Sequence, residues 1–137
     1  MKIIGFNLNK ISAESLSNDF KELKINTNIK IEDIESAKSD IFKKDEEAIN
    51  IKFNYLLDYT PSIAKLAFSG SIVMLVNEKE SKNILKQWEN KKIPDAIKLP
   101  LFNIILRKTN IKALELEDEL NLPLHIALPS LKPQKKE

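Results

Sequence analysis

The 137-residue sequence contains no cysteine, two glycines and a single arginine, and each scarcity removes a class of function. Without cysteine there is no disulfide framework, no thiolate zinc site and no cysteine nucleophile. Two widely separated glycines, Gly5 and Gly70, cannot build a glycine-rich phosphate loop. Because arginine supplies the planar fork for phosphate and base contacts, a chain with only Arg107 does not favour a nucleic-acid-binding face.

Long apolar runs are also missing. No run approaches the ~20 residues that a membrane helix needs, and the first ten residues, MKIIGFNLNK, place charge and asparagine where a signal peptide has an apolar core. Charges are dense but balanced, with a formal net charge of +2. We therefore expect a soluble cytoplasmic protein without membrane insertion, built as a single domain over residues 1–137 because domains commonly run about 100–150 residues.

Alternation of apolar and polar residues dominates the first half of the chain. It predicts strands in FNLNKI, INTNIKIED, INIKFNYLLD and SIAKLAFSGSIVMLV. The third is the clearest, because Ile49, Ile51, Phe53, Tyr55 and Leu57 share one face. In the fourth, Gly70 at mid-strand indicates a bulge, a bend or a close backbone approach. The polar segment DIESAKSDIFKKDEE is expected to be a loop, with either a short helix or mobility.

The period changes at residue 77. Asn77 is a good helix N-cap, and Glu80 three residues later resembles a capping box. A second helix is expected from about Asp95 to about residue 120, with Pro100 in its first turn or at a kink. Strands followed by helices predict an α+β fold: a four-stranded antiparallel sheet (1–76) with a short and a long helix (77–120) packed on one face. Residues 121–137 are predicted to form an extended, proline-marked tail.

Catalytic chemistry finds little support. His125, the only imidazole, has apolar neighbours and no carboxylate near it in sequence, which favours a structural or exposed histidine. An acidic run at the end of the second helix is interpreted as a solvated helix end rather than a metal site: Glu115, Glu117, Asp118 and Glu119. We therefore expect no enzyme activity, no metal and no cofactor.

Five lysines form a candidate basic patch, but a solvated surface is the favoured interpretation because acidic residues balance them elsewhere. They are Lys91, Lys92, Lys132, Lys135 and Lys136.

The long helix carries an apolar arc wider than one sheet face requires, and aromatic residues add to it. A large exposed apolar patch usually marks a partner site. The arc either packs on the sheet and the first helix or forms a second contact surface, for another subunit or for unfolded chains.

These segments resemble the SecB protein-export chaperone family. FNLNKI followed by SAE looks like the family's opening strand, an alternating F-x-I-x-R-I pattern leading to S-x-E; IKIEDI, INIKFNYLL and AKLAFSGSIVML are similar to its later strands. Leu99-Pro100 matches a Phe-Pro at the head of its long helix. The tail is most specific, since Pro123 and Pro129 stand six positions apart, as in the family.

Two departures accompany the resemblance. The span from Pro100 to Pro123 is longer than in the family pattern, and this chain is slightly basic where the export chaperone is strongly acidic. Handover to the translocation motor is therefore not expected, and a divergent SecB-like member, including those tied to toxin–antitoxin systems, fits better.

The resemblance implies an ATP-independent holdase that assembles as a homo-oligomer, a dimer or tetramer, and holds unfolded polypeptide in apolar grooves, with no nucleic acid expected. The alternative is an adaptor subunit that buries the same surface in one specific partner. Eight residues are predicted client or subunit contacts: Phe53, Tyr55, Tyr59, Trp88, Phe102, Ile105, Leu106 and Leu114.

Overall fold

A computed structural model describes residues 2–37 and 45–134. The elements are β1 (Lys2–Ser15), β2 (Lys24–Ala37), β3 (Glu46–Thr60), β4 (Ala64–Asn77), α1 (Glu78–Trp88) and α2 (Asp95–Glu119). This order confirms the predicted α+β fold. The expected loop is shorter than its polar composition indicated, because residues 33–37 continue β2 and residues 46–47 begin β3. Its centre, residues 38–44, and the predicted patch residues Lys135 and Lys136 lie outside the described residues.

The four strands form one antiparallel sheet in the order β1-β4-β3-β2. In the register, Phe53 of β3 stands opposite Gly70 of β4 on one side and Ile31 of β2 on the other. Strands β1 and β2 are therefore the sheet edges. Among the residues that the structure describes, no strand pairs with the outer edge of β2.

The core lies between one sheet face and the helices. Alternate residues of β3 and β4 are buried, as their alternation predicted. On α2 the buried residues recur every fourth position and form one narrow row: Ile97, Leu101, Ile105, Thr109, Ala113 and Glu117. The predicted apolar arc extends beyond this row, since Ile111 of the arc stays 56% exposed. Leu99, near the start of the helix, is also 70% exposed.

Gly70 confirms the predicted close backbone approach. A Cβ at this position would lie 2.3 Å from the Asn7 carbonyl oxygen and 3.0 Å from Cζ of Phe53. The neighbouring strand β1 shifts register between Leu8 and Lys10, beside this contact. Only glycine therefore fits at this position of β4, where the paired strand β1 comes close.

The helix starts follow their sequence signals. The Asn77 side chain accepts the Glu80 backbone N–H at 2.7 Å, which confirms the predicted N-cap of α1. Helix α2 begins at Asp95 as predicted, and Pro100 lies inside it, beyond the first turn. Within the described part of the chain, neither helix combines the length and apolarity that crossing a bilayer requires.

Candidate functional site

A groove of about 860 Å³ opens between edge strand β2 and the junction of the two helices. We call it the lysine-rimmed groove. It is lined by residues of β2, the end of α1, the connecting segment and the start of α2: Ile29, Lys30, Ile31, Glu32, Gln87, Trp88, Lys91, Lys92, Ile93, Asp95, Lys98 and Phe102.

Strand β2 forms one wall of the groove, and side chains from both faces of this strand line it. Ile31 is buried and Ile29 half-buried, whereas Lys30 and Glu32 are exposed. Glu32 is held on its own sheet, because its carboxylate accepts a hydrogen bond from the Asn54 side-chain amide and lies 4.0 Å from the Lys30 ammonium. The wall therefore combines an apolar base with a charged rim.

Trp88, the last residue of α1, supplies the opposite wall. Its indole N–H donates to Asp33 Oδ1 across 3.4 Å, and Lys91 Nζ lies 4.5 Å from the ring centroid. The hydrogen bond ties the indole to β2, and the cation above the ring adds a cation–π contact. The indole is thus positioned as a half-buried aromatic surface.

The first turns of α2 close the groove. Lys98 and Phe102 stand four residues apart and therefore share a helix face; Phe102 is half-buried against the core and Lys98 is exposed. The groove thus has an apolar base of isoleucine and aromatic side chains beneath a rim of four lysines.

The structure brings only two of the eight predicted contact residues, Trp88 and Phe102, into this groove. Leu106 and Leu114 are half-buried on α2 and lie outside it. The other four lie in the chain's own core with at most 1% of their surface exposed: Phe53, Tyr55, Tyr59 and Ile105. Helix α2 and the sheet cover these side chains, so they do not belong to an exposed surface.

Sequence reasoning did not assign Lys30 and Lys98 to a site, and it grouped Lys91 and Lys92 with the tail lysines. In the structure Lys91 and Lys92 join Lys30 and Lys98, whereas Lys132 is not among the groove residues. The sequence does show that Lys98 and Phe102 share one face of the predicted helix, because they are four residues apart. It does not show that β2 lies beside the junction of the two helices, because that proximity is a tertiary contact without a local sequence pattern.

A second cluster of polar residues, the Glu117 cluster, lies where α2 meets the tail. Glu117 has no exposed surface, contrary to its assignment to a solvated helix end. Its carboxylate accepts hydrogen bonds from the Tyr59 hydroxyl and from the His125 backbone N–H, the latter at 2.9 Å. The row that starts at Ile97 reaches Glu117 after five steps of four residues, which is the sequence signal for its burial.

His125 completes this cluster. Its Nδ1 lies 2.6 Å from Glu117 Oε1, and its Nε2 lies 2.9 Å from Asn110 Oδ1. The Tyr55 hydroxyl also donates to Asn110 Oδ1, at 2.7 Å. The histidine is therefore structural, and its carboxylate partner stands eight positions earlier in the chain.

Burial changes the acidity of the two tyrosines. Loss of solvent raises the pKa of Tyr55 to about 12, with the charge of Glu117 adding to the effect. Burial, followed by the hydrogen bond to Glu117, raises the pKa of Tyr59 further. Both hydroxyls therefore remain protonated donors, as a structural cluster requires.

The cluster fixes only the start of the tail. Leu122 is 6% exposed, and the Pro123 carbonyl accepts the Tyr59 hydroxyl at 2.7 Å. Further along the tail, Leu128 is 54% exposed and Leu131 is fully exposed. In residues 2–37 and 45–134, no group of three histidine, aspartate or glutamate side chains is placed to hold a metal ion.

Comparison with known proteins identifies a shared fold. No protein-family model matches the chain, and no curated protein matches it. Among solved structures it is similar to the Mycobacterium tuberculosis Rv1957 SecB-like chaperone, in complex with a ChAD peptide from the Rv1956 HigA1 antitoxin. The TM-score is 0.54 at 11% sequence identity, and the match covers 97% of this chain and 92% of that chain. The four-stranded antiparallel sheet with two helices is thus the fold of a SecB-like chaperone.

Proposed function

We propose that this protein is a non-enzymatic chaperone of the holdase type, which binds unfolded or extended polypeptide without nucleotide. The observation that carries the proposal is the lysine-rimmed groove: an open groove with an apolar base, beside a sheet edge with no strand partner among the described residues. The shared fold with a chaperone whose structure contains a bound peptide supports the same function.

Two features of the groove suit an extended client. Ile29, Trp88 and Phe102 offer apolar area, and burying such area is worth about 25 cal/mol per Å² without demanding a specific sequence. Strand β2 runs along the wall, so the client backbone can add as a further strand, which is a common mode of peptide recognition. Backbone pairing and burial of apolar area would then supply affinity without requiring one specific client sequence.

Apolar residues outside the groove are also exposed. On β1, Ile4 and Ile11 are 45% and 47% exposed, and Leu16 directly after it is 51% exposed. Such residues suit contacts between copies in a homo-oligomer, and they are also the observation that favours the adaptor alternative, in which one permanent partner covers them. We favour a cytoplasmic homo-oligomer, with a toxin–antitoxin setting preferred over export.

An aggregation-suppression assay tests the holdase function. Near-stoichiometric protein should prevent a chemically unfolded client from aggregating without nucleotide, while light scattering gives the oligomeric state. A monomer that gives no protection would overturn the proposal. Insolubility of the isolated protein, with co-purification of one partner, would favour the adaptor.

A further inference from the structure

We propose that the lysine-rimmed groove selects extended polypeptide segments in which acidic residues flank apolar or aromatic ones. This inference rests on the proposed function and specifies its client class. Its basis is the arrangement of charge around the groove.

The lining of the groove carries an excess of positive charge. It holds four lysines and two carboxylates, an excess of two positive charges. Asp33, which accepts the Trp88 indole N–H, is the further carboxylate at this wall, and the lysines still outnumber the carboxylates when it is included. The groove thus combines cationic and apolar character in one place.

The two carboxylates that line the groove do not neutralise its four lysines. Glu32 is engaged by the Asn54 amide and lies 4.0 Å from Lys30. Asp95 is in the first turn of α2, where the helix dipole already stabilises a negative charge. Lys91 lies over the Trp88 ring, and Lys92 and Lys98 are exposed. The rim therefore retains cations for a ligand.

Peptide fits these features better than nucleic acid does. No arginine lines the groove, so the planar fork that reads phosphates and bases is missing from it. The base is aliphatic as well as aromatic, with Ile29, Ile31 and Ile93 beside the two rings. An extended peptide can place apolar side chains on the base and carboxylates at the lysines, because successive side chains point to opposite sides.

Trp88 makes the inference directly measurable. It is the only tryptophan of the chain and lies in the groove, so its fluorescence reports groove occupancy by a tryptophan-free peptide. Three peptides with identical apolar residues would be titrated, with aspartate and glutamate, serine, or lysine at the intervening positions. The acidic peptide should bind roughly tenfold more tightly than the basic one at low salt, and added salt should narrow the gap.

A charge variant provides the matched test. The quadruple variant Lys30→Gln, Lys91→Gln, Lys92→Gln, Lys98→Gln should lose the preference while still binding the serine peptide. Its control changes four exposed lysines outside the groove by the same net charge: Lys10→Gln, Lys65→Gln, Lys79→Gln and Lys108→Gln. The control should keep the preference, and each titration is normalised to its own unbound signal because Lys91 contacts Trp88.

The outcomes separate the two proposals. Equal binding of the three peptides to the wild type would overturn the charge selection and leave the chaperone function intact. Failure of every peptide to change Trp88 fluorescence would overturn both. A single-stranded oligonucleotide that binds more tightly than the acidic peptide would overturn the peptide assignment. A Trp88 signal that changes with protein concentration alone would assign the groove to a second copy of the chain.

Discussion

Glu117 binds both the side chain and the backbone of His125. The imidazole Nδ1 lies 2.6 Å from Glu117 Oε1, and the His125 backbone N–H donates to Glu117 Oε2 at 2.9 Å. The glutamate side chain has no exposed surface and that of the histidine is 6% exposed. A buried carboxylate on the last turns of α2 thus fixes the first residues of the tail.

The substitution Glu117→Ala should destabilise the protein by about 3 kcal/mol, because it removes the buried acceptor of the His125 backbone N–H and the buried partner of its Nδ1, while the Tyr59 hydroxyl keeps only the Pro123 carbonyl. Urea unfolding measures the change. The matched control is Glu115→Ala on the same helix: its side chain is 58% exposed and its ion pair with Lys112 is a surface contact. That variant should lose less than about 1 kcal/mol. Equal losses in the two variants would refute the role of Glu117.

Truncation should separate the docked and the free parts of the tail. Ending the chain after Ala127 keeps Leu122, Pro123 and His125, so the free energy of unfolding should change by less than about 0.5 kcal/mol. Ending it after Asn121 removes all three and should cost about 3 kcal/mol or more. Urea midpoints of the two truncated chains give the answer. A large loss on removing only the residues beyond Ala127 would show that the exposed tail carries stability.

Substitution by alanine should have very different effects on stability at the two glycines. At Gly70 the new Cβ would lie 2.3 Å from the Asn7 carbonyl oxygen, so Gly70→Ala should cost about 2 kcal/mol or more through displacement of β1. At Gly5 the nearest atom is Cβ of Val73 at 3.6 Å, an ordinary contact. Gly5→Ala should stay within about 1 kcal/mol of the wild type. Thermal unfolding of both variants decides this, and a harmless Gly70→Ala would contradict the close approach.

Stability should fall in alkaline solution. The pKa of Tyr55 is about 12 in the folded protein, and that of Tyr59 is also raised. A tyrosine whose pKa is higher in the folded than in the unfolded protein stabilises the folded state. This contribution is complete below the pKa of the unfolded chain, about 10, and is lost as the pH rises above it. Urea unfolding should therefore show a decline between about pH 10 and pH 12, at a rate up to about 1.4 kcal/mol per pH unit and per tyrosine. The variant Tyr55→Phe should show a shallower decline, and an unchanged slope would contradict the shift.

Local sequence patterns predicted the elements but not their tertiary partners. Alternation identified β3 and β4 because one face of each meets the core, and Asn77 marked the start of α1 because its side chain caps the helix. Alternation indicates that the face of β3 with Tyr55 is apolar and not what covers it, and the resemblance assigns Tyr55 and Tyr59 to client or subunit contacts. In the structure both side chains are at most 1% exposed, and their hydroxyls donate to Asn110 and Glu117 of α2.

The Glu117 cluster and the lysine-rimmed groove are absent from the sequence-based predictions for different reasons. Glu117 belongs to an acidic run at the end of a helix, which predicts a solvated helix end, although its spacing of four residues from Ala113 also places it in the buried row of α2. The lysine-rimmed groove depends on β2 lying beside the junction of α1 and α2, and Lys30 and Lys98 are 68 positions apart in sequence. Such proximity follows only from sheet order and helix docking.

The central claim is that the groove holds unfolded polypeptide. Its most direct test compares two double variants in the aggregation-suppression assay. Ile29→Ala with Phe102→Ala removes apolar base from the groove, whereas Ile25→Ala with Leu116→Ala removes half-buried residues from the same two elements outside it. The groove variant should remain folded and need several-fold more protein for the same protection, and the control should protect like the wild type. Equal protection by the two folded variants would contradict the claim.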